Sequence, residues 1–537
     1  MTFPFEPAWL RCVVRWSRLA PMVLAATLLG SGCASLPGGI ARTPSTAIAA
    51  STGTALGRIA AVSSPDPALS GFRLLPSGPF ALSTRIELAR RSERSLDLLY
   101  FQIQDDATGR SLLRTLRDAA RRGVRVRLLL DDLHTSGQDL MLLGLAAHAN
   151  VEVRLFNPFA ARRGGMYLRY AASLFEFERL NHRMHNKLFV ADGSMAVTGG
   201  RNIADEYFTR HPLANFIDLD VFATGVIVAD LADLFDLYWN SSPAYPIGSI
   251  ARSGDSPAEL QARFEELTRT APSQAAEEEL VTDVLGYGPL GAELDAGRLD
   301  LIWGPAEVFA DPPEPTNEVE ALATRRSEQS ARVRRSVLEH MRDSRREIAL
   351  TSPYLIPGRT GMELIREVRS RGVKVSILTN SLASTDQPLV HSGYRRYRHE
   401  LLGMGVDLYE LSPVKAGRKS RRILFGASVG GLHTKAIVFD REEVFIGSMN
   451  FDPRSNHYNT EMGLFIHSPA LAREAFHLAH LAQLQAAHRL RLTAAGGIEW
   501  LTPADADDEV HTDEPEAGFW VRVLLELLAP LAPESLL

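Results

Sequence analysis

Cysteine is nearly absent from this chain: Cys12 and Cys33 are the two in 537 residues. Both fall within the first 33 positions, so everything after them has neither a disulfide nor a thiolate metal site. A basic surplus is missing too. The 58 Lys and Arg against 64 Asp and Glu leave a net charge of −6, which argues against nucleic acid as a partner. Beyond the N-terminal region no stretch approaches the roughly 18 consecutive apolar residues of a membrane-spanning helix. What is present is an ordinary globular composition, 45% apolar and 23% charged. A chain of this length has room for two to four domains with substantial cores.

The first 33 residues read as a targeting segment. Arg11, Arg15 and Arg18 precede an apolar run from Leu19 to Gly30, of signal-peptide length and short for a bilayer. Small residues then lead into Cys33 (Gly-Ser-Gly-Cys-Ala-Ser). This is similar to a bacterial lipobox, with Gly30 where Leu is usual, and predicts lipidation at Cys33. A plain signal peptide or a short uncleaved anchor is the alternative. The expected location is the bacterial cell envelope, as a membrane-anchored lipoprotein facing the periplasm. Ala34-Ser35 lacks the Asp that retains lipoproteins at the inner membrane, a pointer to the outer one. Residues 34–70, rich in Ala, Ser, Thr, Gly and Pro, are expected to be a flexible tether.

The body of the chain repeats itself. SLDLLYFQI (95–103) has the pattern of a buried strand, and the helix TGRSLLRTLRDAARRG (108–123) puts Leu112, Leu113 and Leu116 on one face. VRVRLLLDD (124–132) is a second strand. The same order returns as EIALTSPYL (347–355), TGMELIREVRSRG (360–372) and VKVSILTNS (373–381). Arg122-Gly123-Val124 and Arg371-Gly372-Val373 are 249 positions apart. The chain therefore divides into a first half (75–240), a connecting segment (241–299), a second half (300–490) and a C-terminal extension (491–537) with an apolar, Trp-bearing amphipathic helix. Alternating strands and helices predict an α/β fold.

One motif recurs with this repeat. His185-Asn186-Lys187-Leu-Phe-Val-Ala-Asp192 is followed by Gly199-Gly200-Arg201-Asn202. His433-Thr434-Lys435-Ala-Ile-Val-Phe-Asp440 is followed by Gly447-Ser448-Met449-Asn450. The two histidines are 248 positions apart, and the internal spacings are identical. His-x-Lys on a strand places both side chains on one face. The apolar residues that follow bury the strand, and the Asp falls at its end. Gly200 and Ser448 let the backbone approach a ligand; Asn202 and Asn450 offer a donor and an acceptor each. A single His-x-Lys is usually a surface or core pair. Retaining two buried copies for stability alone is costly.

The doubled pattern resembles the signature of the phospholipase D superfamily. Flanking segments, among them LNHRMHNKLFVADG, TSPYLIPG, ILTNSLASTD, VHSGYRRYR and FDPRSNHYNTE, look like the C-type branch of bacterial cardiolipin synthases. The resemblance implies two homologous α-β-α sandwich halves packed pseudo-symmetrically around one active site. It implies a phosphatidyltransferase forming cardiolipin through a phosphohistidine, with His185 as nucleophile and His433 as acid/base. Lys187, Lys435, Asn202 and Asn450 would hold the phosphate oxygens. Asp192 and Asp440 belong to the signature and are expected to fix turns. A carboxylate should orient each imidazole: Glu461 for one, and Asp218 or its rival Asp220 for the other. Neither metal nor other cofactor is expected. The partners implied are phospholipids (phosphatidylglycerol, with phosphatidylethanolamine as a further candidate) and a membrane surface, for a monomer. His182, Arg183 and Arg454 are either head-group contacts or surface charges, and His391 and Tyr394 are candidates for the acceptor pocket. A hydrolase releasing phosphatidic acid would use the same residues. A nuclease fits the negative charge poorly.

Overall fold

The computed structural model describes residues 36–160, 169, 176–269, 281–314, 332–420, 430–503 and 509–528. The segment carrying Cys33 lies outside them.

Two mixed sheets face each other. Among the described residues the first sheet runs, edge to edge, Ala244–Pro246, Val151–Phe156, Arg125–Asp131, Ser95–Tyr100, Leu188–Ala191, Met195–Gly199, Asp220–Gly225, Ser70–Leu75 and Ile302–Gly304. The second runs Ala306–Ala310, Met462–His467, Glu443–Gly447, Ala436–Phe439, Glu347–Thr351, Lys374–Asn380, Asp407–Leu411, Ala487–Leu492, Ile498–Thr502 and Glu509–His511. In each sheet the three strands joined by helices are parallel. The motif strand, Leu188–Ala191 or Ala436–Phe439, pairs antiparallel beside them. The sequence repeat is thus a repeat of topology.

The helices form where the sequence pattern places them. Ala107–Arg121 starts at Asp106, whose side chain accepts from the Gly109 amide, and buries Leu112, Leu113, Leu116, Ala119 and Ala120. Such a cap contributes about 1 kcal/mol. Gly123, at φ 98°, ends it. Gly358–Ser370 repeats the arrangement with Leu364, Ile365 and Val368 inside. These helices cover the outer face of each sheet. The inner faces share one apolar core, in which Leu188, Val190 and Ala196 of the first half meet Val438, Ile446 and Leu464 of the second. Two helices, Ile227–Trp239 and Pro469–Ala486, contribute Leu231, Phe235, Trp239, Leu471 and Ala475 to it. The layers are helix, sheet, shared core, sheet, helix.

Three boundaries differ from expectation. Residues 36–63 are a strap on the first half and not a free tether. Arg154 Nη2 donates to the Thr43 carbonyl (2.7 Å), and Arg127 Nη1 to the Ser45 carbonyl (3.0 Å). Asp236 accepts from the Ala47 amide (2.7 Å), and the helix Ala55–Ser63 buries Leu56 and Ile59 in the first core. The polar composition that suggested a tether instead supplies backbone groups to buried arginines. Ile302–Gly304, expected in the second half, is an edge strand of the first sheet. The second sheet continues through residue 490 into the extension, because Ala487–Leu492 pairs with Ile498–Thr502.

Candidate active site

The His-x-Lys tripeptides do not lie within strands. Each occupies an extended link between a two-residue strand and the motif strand: Arg183–Met184 precedes the first, Gly431–Leu432 the second. The two-residue strands pair across the molecule. Arg183–Met184 runs parallel to Asn459–Thr460 of the second half, and Gly431–Leu432 parallel to Phe216–Ile217 of the first. Each histidine is therefore delivered to the seam by a strand that hydrogen-bonds to the opposite half.

The orienting carboxylates cross the seam in the same way. His185 Nδ1 lies 2.9 and 3.1 Å from the Glu461 carboxylate oxygens. His433 Nδ1 lies 2.6 Å from Asp218 Oδ2. With the proton on Nδ1, both rings donate to their carboxylates and present Nε2 to the site. Asp220, the rival, pairs instead with Arg85 Nη2 (2.9 Å) and accepts from the Arg201 amide. The glycine-or-serine position serves these carboxylates. A Cβ at Gly200 would collide with the Asp218 carboxylate, and Ser448 Oγ donates to Glu461 (2.5 Å). Both had been expected to face the ligand.

The lysines return to their own motifs. Lys187 Nζ donates to the His185 carbonyl (2.5 Å) and Lys435 Nζ to the His433 carbonyl (2.6 Å). Lys435 Nζ also stands 2.9 Å from His433 Nδ1. All four groups are buried, and each histidine lies within the field of both lysines. Burial pushes the Lys187 amine down to about 7 and the Lys435 amine to about 8, with Glu461 and Asp218 opposing it. Burial, with Lys187, Lys435, His433 and Arg454 adding to it, holds His185 well below the ordinary imidazole value. His433 is lowered by burial and Lys435, while Asp218 pulls the other way. Burial raises Glu461 to about 7. Asp218 is held below the usual carboxylate range, because His433 and Lys435 outweigh its burial. Two buried amines and two buried imidazoles thus lie within one another's fields.

Among the described residues the side-chain oxygens of Asn202 and Asn450 are buried without a hydrogen-bond partner. Asn202 Nδ2 donates to Tyr207 Oη (3.1 Å). Asp192 and Asp440 stand apart, about 16 Å of extended chain beyond the lysines. Asp192, at φ 50°, accepts from the amides of Glu93, Arg94 and Ser95. Asp440, at φ 54°, accepts from Arg345, Arg346 and Glu347. Each closes the turn leading into a central strand.

Sequence reasoning missed several groups. Phe101 packs edge-on against His185 (5.0 Å between centroids) and against His134 (4.9 Å). Tyr207 and Phe216 flank His433 at 5.0 and 5.3 Å. One residue before each histidine, a side chain from the end of the central strand grips the backbone. Asp131 Oδ2 accepts from the Met184 amide (2.9 Å), and Asn380 Oδ1 from the Leu432 amide (2.8 Å). These two positions obey the 249-residue repeat, which was the available signal. Arg183 is buried and pairs with Asp131 (3.1 Å), so it is a structural ion pair and not a surface charge. His391 and Tyr394 lie in a buried network and not in a pocket. His391 meets Glu514 and Arg398, and Tyr394 Oη donates to Glu410. That network clamps the C-terminal extension to the second half.

Two duplicated halves, each contributing a His and a Lys to one buried cluster and a carboxylate to the other's histidine, have the arrangement of a phosphodiester-transferring enzyme of the phospholipase D type. A family model described as cardiolipin synthase, phospholipase D-like domain, matches residues 85–239 and 337–478. Cardiolipin synthase C of Escherichia coli is 39% identical over 477 residues, covering 88% of this chain and 98% of that protein. Cardiolipin synthase A of Pseudomonas fluorescens SBW25 is 26% identical over 75% of this chain and 67% of that protein. The crystal structure of phosphatidylserine synthase from Haemophilus influenzae superposes with a TM-score of 0.54 at 14% identity, over 86% of this chain and 93% of that one. The chain belongs to the cardiolipin synthase family with phospholipase D-like domains.

Proposed function

We propose that this phosphatidyltransferase forms cardiolipin, with His185 as nucleophile and His433 as acid/base. The carrying observation is the electrostatic division of the two rings. His185 sits among cations that keep it neutral, beside Glu461, whose own charge burial suppresses. His433 sits against an Asp218 that stays ionised and opposes the lowering by burial and Lys435, so of the two rings it is held less far from protonation.

In the first step His185 Nε2 attacks phosphorus and the bond to the head-group oxygen breaks. The departing alkoxide takes the proton from His433 Nε2. In the second step the acceptor alcohol passes its proton to His433 as its oxygen attacks phosphorus. The P–N bond breaks and frees His185. The Lys187 and Lys435 ammonium groups neutralise the non-bridging oxygens, and Asn202 and Asn450 add hydrogen bonds to them. Asp192 and Asp440 hold the turns, and act on the rate only through the strands they anchor.

Access to lipid is assigned to two contacts. The first is a lipid on Cys33, which would place the enzyme in the envelope facing the periplasm. The second is the helix Phe519–Leu528. It buries Leu525 on the body and leaves Phe519, Trp520 and Leu527 exposed at 62, 78 and 68%, a composition suited to a membrane interface. No helix among the described residues is long and apolar enough to cross a membrane. All the catalytic groups come from one chain, in keeping with a working monomer.

The test is lipid analysis after incubating purified enzyme with phosphatidylglycerol, alone and with phosphatidylethanolamine. Cardiolipin is the expected product; phosphatidic acid alone would make the enzyme a hydrolase. In the same assay a covalent phosphatidyl group trapped by quenching the wild-type enzyme lies on His185, and His433→Ala abolishes turnover. A trapped adduct on 433 in His185→Ala would reverse the two roles.

A further inference from the structure

In-line displacement puts the leaving and entering alcohols on the same side of phosphorus, opposite the nucleophile. With His185 as nucleophile, that side belongs to His433. The groups around His433 therefore face the head group that is exchanged.

A carboxylate on the loop packed against the link to His433 has no task so far. Asp386 is exposed, and both its carboxylate oxygens accept from Tyr354 Oη, at 2.8 and 2.9 Å. Among the described residues no cation pairs with it. Its charge acts on Lys435, on Tyr207 beside His433, and on Tyr354. Its position is built and not incidental. Asn380 holds the Leu432 backbone from both sides, its Oδ1 accepting from the amide (2.8 Å) and its Nδ2 donating to the carbonyl (2.9 Å). Ser384 Oγ donates to that same Asn380 oxygen (2.9 Å). A Cβ at Gly431 would strike the Ser384 carbonyl. The loop 381–386 is thus packed directly on the two residues that precede His433.

A carboxylate beside a phosphate site opposes the anion. It is tolerated where it has a donor of its own to meet. We infer that Asp386, steadied by Tyr354, is the subsite for the exchanged head group and accepts a hydrogen bond from its second hydroxyl or its ammonium. The subsite rests on the proposed roles of the two histidines. It reads alcohols that carry a further donor, such as glycerol-type or ethanolamine-type head groups, over simple monohydric alcohols. A hydrogen bond to a charged group is worth about 1.5–3 kcal/mol, roughly tenfold or more in rate ratio.

The test uses the whole enzyme with phosphatidylglycerol as donor and three isotopically labelled soluble acceptors, glycerol, ethanolamine and ethanol, with label incorporation into lipid as the readout. In Asp386→Asn and Asp386→Ala the kcat/KM for glycerol or ethanolamine, divided by that for ethanol, falls about tenfold. A fall confined to glycerol assigns the carboxylate to a hydroxyl, and one confined to ethanolamine to an ammonium. Unchanged ratios, or an equal fall with all three acceptors, overturn the subsite. Wild-type enzyme that yields phosphatidic acid alone would overturn the transfer reading, and this proposal with it.

Discussion

The two halves share strand order, motif spacing and the crossing carboxylates, yet they surround their histidines differently. His185 has Phe101, His134 and Arg454 for neighbours; His433 has Tyr207, Phe216 and, farther out, Asp386. Burial and the charges of Arg183, Lys187 and Arg454 press His134 down to about 4. A duplicated scaffold thus supplies geometry twice, and a few unduplicated charges make the two surroundings unlike.

The comparison breaks most visibly at the crossing carboxylates. Asp218→Asn removes the charge that opposes the lowering of the His433 pKa and orients its ring, and is expected to lower kcat about 10³- to 10⁴-fold, as loss of an orienting carboxylate does elsewhere. Glu461→Gln removes a group whose charge is already suppressed at about 7 and should cost less, about 10- to 100-fold. Steady-state kinetics on both variants decide this; equal losses would mean that the halves are electrostatically equivalent.

The backbone grips come next. Asp131→Ala leaves Arg183 buried without its carboxylate and should lower unfolding stability by about 3–5 kcal/mol. Asn380→Ala removes neutral hydrogen bonds and should lower stability by about 1–3 kcal/mol. Denaturant melts of the pair measure the difference. Equal losses would place the worth of both grips in the backbone bond alone.

Arg454 sharpens the comparison by the smallest amount. Its positive charge lowers the His185 pKa, so His185 stays unprotonated to more acidic pH, as the proposed nucleophile must. Arg454→Gln raises that pKa, and the acidic limb of kcat/KM moves to higher pH. The alkaline limb, where Lys187 at about 7 and Lys435 at about 8 lose charge as pH rises, keeps its place. A pH–rate profile in which the acidic limb does not move removes Arg454 from the account.

Much of the fold was legible because burial is periodic. Leu112, Leu113 and Leu116 recur at helical spacing, and the same pattern recurs 249 positions on, so helices and strands followed from local residues. The motifs were legible because five residue types kept their spacing twice. Other features were not. The tether reading failed because polar and small residues are as suitable for a strap lying on buried arginines as for a free chain. His391 and Tyr394 were misplaced because a His on a helix face carries no mark of what covers it; Glu514, which does, is more than a hundred residues away.

By itself the sequence determined that there are two halves, that a His-x-Lys motif stands in each, and that its residues recur in one order. Those are properties of neighbours along the chain. Tertiary structure alone decided that Asp218 and not Asp220 faces His433, and that Gly200 makes room for it. It alone decided that each histidine takes its carboxylate from the other half. The physical reason is that a hydrogen bond forms on distance and direction in space, and residues 215 or 276 positions apart have neither until the two sheets close on their shared core.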